Sequence, residues 1–366
     1  MTNLRQRSAL GAATPEEFNF SVATLSRIRV FSESLEGQPF TFQERLPAPE
    51  FMPFGLVNLK GLEEDVTGLF EKNADKLLKL AIALEEQQGW HVRDQGGRST
   101  CNAFAIVAAE ELFEANRTFE ADSVPKTPPM KTFSEDFLYT AIVGEELPKH
   151  AMGSALQIAE DGSTFLEQAV KAVQNTGLYE GSPSDYDDSP RRAKNYKRSL
   201  SEATGTSVKT SGYAHEIDTS HASGSTISKP TRPFPSSGSS VSSLFLKALQ
   251  KEVPVVASFA IAEDPGDAAW FGHRARLDGH VLYPAPEVST DLGIQGGHTV
   301  CIVGYLRGGR YGAGSFVFRN SYGPDVFGGA PCLNAKDDDF VLPRGYGYIS
   351  IEDVDRYCWE FMYKAS

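Results

Sequence analysis

Cysteine is scarce in this chain: there are four in 366 residues, at Cys101, Cys301, Cys332 and Cys358, with no paired spacing. That excludes a disulfide-built scaffold and offers no Cys-x-x-Cys metal site. Excess positive charge is missing as well. Lys and Arg number 35 against 48 Asp and Glu, a net charge of -13, which argues against a nucleic-acid or anionic-membrane surface. Only the short run RRAKNYKR, Arg191 to Arg198, is locally basic, and it fits the exposed face of a helix. No apolar run approaches the roughly 20 residues of a membrane span. The opening stretch MTNLRQRSALGAATPEE holds early arginines, but its apolar part is too short for a signal peptide. A reducing, cytoplasmic compartment is therefore expected, with export by a route lacking a cleavable signal left open.

What is present is an ordinary globular composition. Hydrophobic residues make up 40% and charged residues 23%, enough apolar side chain for a substantial core. Residues 1–60 are rich in Pro and Phe with little periodicity, and short strands are expected at Phe18 to Val22 and Ile28 to Phe31. From Asn73 the pattern becomes helical: Leu77, Leu80, Ala81 and Leu84 share one face, Asn73 suits a cap and Gly89 a stop. Further helices are expected from Cys101, over Glu135 to Val143, Ser163 to Thr176 and Ser243 to Lys251. Thr219 to Ser240 is low in complexity and reads as a loop. The period then switches to strands: HTVCIVGYL and GSFVFRNSY, joined by a hairpin at RGGRYGA, followed by GYGYISI and CWEFMYK. Helices first and antiparallel strands after give an α+β plan in two halves.

One stretch carries chemistry. VRDQGGRSTCNAFAIVAAEE sets a glutamine, two glycines and a cysteine directly before an apolar helical run. A thiol becomes a nucleophile only as thiolate, and a helix N-terminus favours that form. A base and a group that orients it must come from elsewhere. Of seven histidines, His298 is set apart: it follows GIQGG and opens the strand HTVCIVGY. Asn320 ends the neighbouring strand, so a hairpin brings both residues to one end of the sheet. Taken singly, a buried helix cysteine, a strand-end histidine and a turn-forming asparagine would explain these residues equally well. The acidic AKDDDF turn, Ala335 to Phe340, suits solvent better than a cation.

The blocks together resemble the papain-like cysteine peptidases, and their bacterial branch in particular, over roughly Trp90 to Ser366. Gln95 stands six residues before Cys101, GGHTVCIVGY is similar to the family's Gly-His block, and NSYG to its Asn-Ser-Trp-Gly block. The resemblance implies a fold with a helical lobe bearing Cys101, a β-barrel-like lobe bearing His298 and Asn320, and a cleft between them. It implies Cys101 as nucleophile, His298 as base, Asn320 as orienting residue, and Gln95 with the Cys101 backbone N–H as oxyanion hole. Gly162, Ser163, Gly297 and Tyr322 match positions that face substrate. The implied partner is a protein or peptide substrate, with no metal or organic cofactor. The sequence departs from the family at Asn102, where an aromatic follows the cysteine, at Tyr322, which stands for tryptophan, and at Arg98, where a structural cysteine is common. Cys101 and His298 lie 197 residues apart, against roughly 130–150 in the papain branch. Two other activities fit the same groups: a thiol acyl transferase such as a transglutaminase or deamidase, and an inactive interaction module. Residues 1–89 form an N-terminal extension ending in a helix, expected to bind the cleft or a partner, or to belong to the fold.

Overall fold

In the computed structural model the described residues are 29–32, 41–44, 76–118, 131–146, 162–180, 186, 207–208, 213–217, 241–262, 270, 272–283, 294–306, 314–328 and 342–364. The strand expected at Phe18 to Val22, the RGGRYGA turn, the 219–240 loop, RRAKNYKR, AKDDDF and Cys332 lie outside them.

The order of elements among these residues is β1 (Arg29–Ser32), β2 (Thr41–Glu44), α1 (Lys76–Gln88), α2 (Cys101–Thr118), α3 (Glu135–Gly144), α4 (Leu166–Asn175), β3 (Leu178–Tyr179), β4 (Ser207–Val208) and β5 (Tyr213–Ile217). There follow α5 (Val241–Gln250), β6 (Val255–Ala262), α6 (His273–Asp278), β7 (His280–Val281), β8 (Ile294–Leu306), β9 (Ser315–Arg319), β10 (Tyr346–Ser350), α7 (Ile351–Tyr357) and β11 (Cys358–Lys364). The fold class is α+β. One sheet runs β2-β1-β5-β11-β6-β8-β9-β10-β7. Its pairings are antiparallel except β10 with β7. Two features of this order are not local. The last strand, β11, lies mid-sheet between β5 and β6, and β1 and β2 extend the β5 edge.

Local chemistry sets the helix limits. Ser134 caps α3 by accepting a hydrogen bond from the Phe137 N–H at 3.2 Å, and Glu135 and Asp136 occupy the first turn. α4 begins at Leu166, where Gln168 Oε1 accepts from the Phe165 N–H at 3.0 Å. Ser163 therefore lies before the helix and does not cap it. α1 turns Leu77, Leu78, Ala81 and Leu84 into the core, and Leu80 is only partly covered. It docks on β8 at a close approach: a Cβ on Gly304 would sit 2.5 Å from Leu78 Cβ, so glycine is required there. α2 is buried on nearly every side from Cys101 to Leu112, as its Ala-rich faces demand. The two acids within that apolar run are satisfied. Glu110 pairs with Lys364 of β11 at 2.5 Å. Glu111 accepts from Trp90 Nε1 and Arg93 Nη2, each at 2.6 Å, and from the Phe133 N–H at 2.9 Å.

Candidate active site

The approach to Cys101 is a bent segment held at both ends. The Asp94 carboxylate accepts from the Gly96 N–H at 2.8 Å, closing a turn in which Gly96 takes φ +61°, a left-handed conformation suited to glycine. Upstream, Arg319 Nη2 donates to the Trp90 carbonyl at 3.0 Å, and Arg93 bonds Glu111 and Glu135. Glu135 is pushed up to about 7, mainly by burial, and the Arg93 charge opposes that shift. Downstream, the Tyr186 hydroxyl donates to the Gln95 carbonyl at 2.9 Å and so accepts from Thr100 Oγ1 at 2.8 Å. Arg98 bonds Asp136 of α3 at 2.7 Å and lies over the rings of Tyr186 and Tyr139, at 4.8 and 5.4 Å. A buried ion pair thus straps the approach to α3, where the resemblance led one to look for a structural cysteine.

Cys101 is the first residue of α2. The Phe104 N–H donates to the Thr100 carbonyl at 3.2 Å, and no acid occupies the first turn to compete with a thiolate for the helix dipole.

Segment 93–95 pairs with 321–323. The Gln95 N–H donates to the Ser321 carbonyl at 2.8 Å, the Gly323 N–H to the Arg93 carbonyl at 3.1 Å, and Ser321 Oγ to Gln95 Oε1 at 2.6 Å. With Oε1 thus occupied, the Gln95 amide NH2 points the other way, and Nε2 donates to the Arg98 carbonyl at 2.9 Å. The glutamine and the NSYG block therefore form one unit.

His298 and Asn320 meet as a hairpin between their strands requires. His298 Nε2 lies 2.7 Å from Asn320 Oδ1, and the Ser321 N–H donates to that same oxygen at 2.8 Å. A backbone donor facing Oδ1 fixes the orientation of the carboxamide. Nε2 must therefore carry the hydrogen, and Nδ1 of the neutral ring is the bare basic nitrogen. Nδ1 is buried and has no hydrogen-bond partner among the described residues. Burial holds the imidazole down at about 4, against a smaller opposing effect of the Asn320 bond.

Two aromatic rings enclose this pair. Tyr322 stacks on the imidazole, with centroids 4.4 Å apart, and Trp270 meets it edge-on at 5.1 Å. Trp270 is itself fixed by its Nε1 donating to the Tyr283 hydroxyl at 2.8 Å. Tyr322 is 1% exposed, as buried as the other residues of the site, and its ring covers one face of His298. Burial, then the neighbouring Cys101, holds its phenol well above the usual range.

Cys101 reaches the His298 strand through the next residue of each: Thr299 Oγ1 donates to Asn102 Oδ1 at 2.5 Å. Asn102 also donates to Thr164, which follows Gly162 and Ser163. Gly162 has its carbonyl bonded by the Tyr139 hydroxyl at 2.7 Å, and Gly297 pairs with Ala260 in the β6–β8 ladder. Cys101, Gln95 and His298 are each 0% exposed. The remaining described thiols differ in kind: Cys301 is buried in β8 and pushed up to about 12 by that burial, and Cys358 is buried in β11. Four residues of the site escaped the sequence reading: Trp270, Tyr186, Glu111 and the Arg98 partner Asp136. Among the described residues no group of three or more His, Cys, Asp or Glu could hold a metal ion, and no helix is long and apolar enough to cross a membrane.

No family model matches the sequence, and no curated protein matches it. Among solved structures the chain is similar to xylellain, a cysteine protease from Xylella fastidiosa, at 16% identity and TM-score 0.42, covering 75% of this chain and 82% of that one. It is similar to the proform of the ragweed pollen cysteine protease Amb a 11, at 16% identity and TM-score 0.41, covering 76% of this chain and 63% of that one. It is also similar to procathepsin B S9 from Trypanosoma congolense, at 12% identity and TM-score 0.46, covering 88% and 84%. At these values the likenesses carry no weight beside the geometry of the site itself.

Proposed function

We propose that this protein is a papain-like cysteine peptidase, with Cys101 as nucleophile, His298 as base, Asn320 as orienting group and Gln95 as an oxyanion donor. One observation carries the proposal above the rest. The Asn320 bond commits the His298 hydrogen to Nε2 and leaves a basic Nδ1 without a hydrogen-bond partner among the described residues. A structural histidine would be expected to satisfy both nitrogens in so buried a place. A general base needs one of them bare.

The steps follow from these groups. Nδ1 takes the proton from Cys101 Sγ, and the thiolate attacks the peptide carbonyl carbon, breaking the C=O π bond and forming a C–S bond. The Gln95 amide and the Cys101 backbone N–H receive the oxyanion; one such donor lowers the barrier by about 3 kcal/mol. As the carbonyl re-forms, the C–N bond breaks and His298 gives its proton to the leaving amine. Water, deprotonated by Nδ1, then displaces the thiolate from the thioester. Asn320 keeps the ring oriented throughout, the part an aspartate plays in serine triads.

Full burial of Cys101 and His298 favours a closed resting form, in which access to substrate requires displacement of covering chain. The N-terminal extension is proposed as the segment that regulates that access. Hydrolysis of fluorescently labelled casein tests the activity. Wild type should cleave it and Cys101→Ala should not, while Gln95→Ala should fall by on the order of 100- to 1000-fold. Equal cleavage by wild type and Cys101→Ala would place the activity elsewhere and refute the assignment.

A further inference from the structure

The residue after the nucleophile is engaged at every side-chain polar atom. Asn102 is fully buried, its Nδ2 donates to the Thr164 carbonyl and to Thr164 Oγ1, both at 2.8 Å, and its Oδ1 accepts from Thr299 Oγ1 at 2.5 Å. The Thr299 hydroxyl has one proton, already given to Asn102. In its 2.8 Å contact with Ser258 the serine must therefore be the donor. The chain of bonds has a single sense: Ser258 to Thr299, Thr299 to Asn102, Asn102 to Thr164. It joins three elements: the start of α2, the segment before α4, and the β6–β8 pair.

Two members are covalently next to residues of the proposed site, and a third to Ser163, which the family resemblance sets facing substrate. Asn102 follows Cys101, Thr299 follows His298, and Thr164 follows Ser163. Packing alone does not call for this arrangement. An apolar side chain fills a core without the desolvation cost of a carboxamide and three hydroxyls. Satisfied buried polar groups instead fix relative positions, because each bond is directional and leaving one unmade is costly.

We infer that Asn102 is a positioning residue, which through Thr299 sets the Cys101 Sγ to His298 Nδ1 geometry and ties it to the 162–164 segment. The inference rests on the peptidase proposal above. It assigns to Asn102 and Thr299 a role that an aromatic side chain at 102 could not supply, since no ring accepts from Thr299 and donates twice to Thr164.

The test uses the full chain and iodoacetamide. The second-order rate of Cys101 alkylation, located by mass spectrometry, is followed from pH 5 to pH 9 for wild type, His298→Ala, Asn102→Ala, Thr299→Val, Thr299→Ser and the Asn102→Ala/Thr299→Val double variant. Urea midpoints are measured alongside. The wild-type rate at low pH should depend on His298. Thr299→Val and Asn102→Ala should each lower it by on the order of 10- to 100-fold. The double variant should be no worse than the worse single one, and Thr299→Ser should stay near wild type. Thr299→Val removes only one hydroxyl, so the test stands even where Asn102→Ala does not fold. A wild-type profile indifferent to His298 overturns the peptidase proposal, and the positioning role with it. A His298-dependent wild type whose profile is unchanged in Thr299→Val and Asn102→Ala overturns the positioning role alone, even if both variants unfold more easily.

Discussion

Replacing His298 by glutamine should flatten the acid dependence of stability by a calculable amount. Burial lowers the imidazole from its ordinary 6.5 to about 4 in the folded chain. Between those two values the unfolded chain binds a proton that the folded chain refuses. Stability from this group is therefore complete above pH 6.5 and is lost as pH falls toward 4. One pH unit between the folded and unfolded titration points corresponds to about 1.4 kcal/mol, so the loss amounts to roughly 3 kcal/mol. Glutamine keeps an amide donor for Asn320 but has no proton to bind. Urea unfolding at pH 7 and pH 4, followed by tryptophan fluorescence, reads the difference in a Cys101→Ser background that prevents self-digestion. Other buried acids, Glu135 and Asp353 among them, titrate in both proteins and cancel in the comparison. The His298 protein should lose roughly 3 kcal/mol more than the His298→Gln protein over this range. Parallel losses would mean that the imidazole is protonated or solvated in the folded state, and would refute a buried neutral base.

Three further outcomes are expected. Arg98→Met removes the guanidinium bonded to buried Asp136 at 2.7 Å and should cost about 3–5 kcal/mol in urea unfolding, most of it regained in Arg98→Met/Asp136→Leu; a loss under about 1 kcal/mol would show that the strap contributes little. Asn320→Ala deletes the acceptor that sets the His298 tautomer and leaves two buried donors unpaired, so casein hydrolysis should fall on the order of 100-fold and urea unfolding should show a loss of about 1–3 kcal/mol; unchanged hydrolysis would show that Asn320 does not orient the ring. A chain starting at Leu62 retains α1 and its Leu78 contact with β8, and loses edge strands β1 and β2. It should alkylate at Cys101 faster than the full chain, and equal rates would remove an inhibitory role for the extension.

Much of the fold was legible because it is locally encoded. The helices at Cys101 and Glu135 and the strands through His298, Phe316 and Tyr348 follow from side-chain period, caps and glycines within a few residues. Cys101, His298 and Asn320 stood out as a candidate set through the resemblance of their blocks and their order, although each alone is ordinary. What escaped depends on contacts between residues far apart in the chain. Nothing near Trp270 in sequence says that it meets His298, although it is one of only three tryptophans and follows a buried strand. Tyr186 clamps Gln95 and Thr100 from 91 and 86 residues away. Glu111 did leave a trace: two adjacent acids in an otherwise apolar helix must find partners, and it finds Trp90, Arg93 and the Phe133 backbone. Arg98 and Asn102 were visible as departures from the pattern the sequence resembles, but what they do is set by Asp136, Thr164 and Thr299, far off in the chain. The place of β11 mid-sheet, and of β1 and β2 at its edge, is likewise set by long-range pairing that no local pattern encodes.

Labelling with a peptidyl epoxide tests the central claim most directly. Wild type, Cys101→Ala and His298→Ala are treated in parallel, and adducts are located by mass spectrometry. Cys301, buried and pushed up to about 12, should stay silent in the folded protein. An adduct confined to Cys101 and lost in His298→Ala is the result expected of a thiol activated by this imidazole. Absence of any Cys101 adduct, in the full chain and in the chain starting at Leu62 alike, would contradict a peptidase and leave an interaction module in its place.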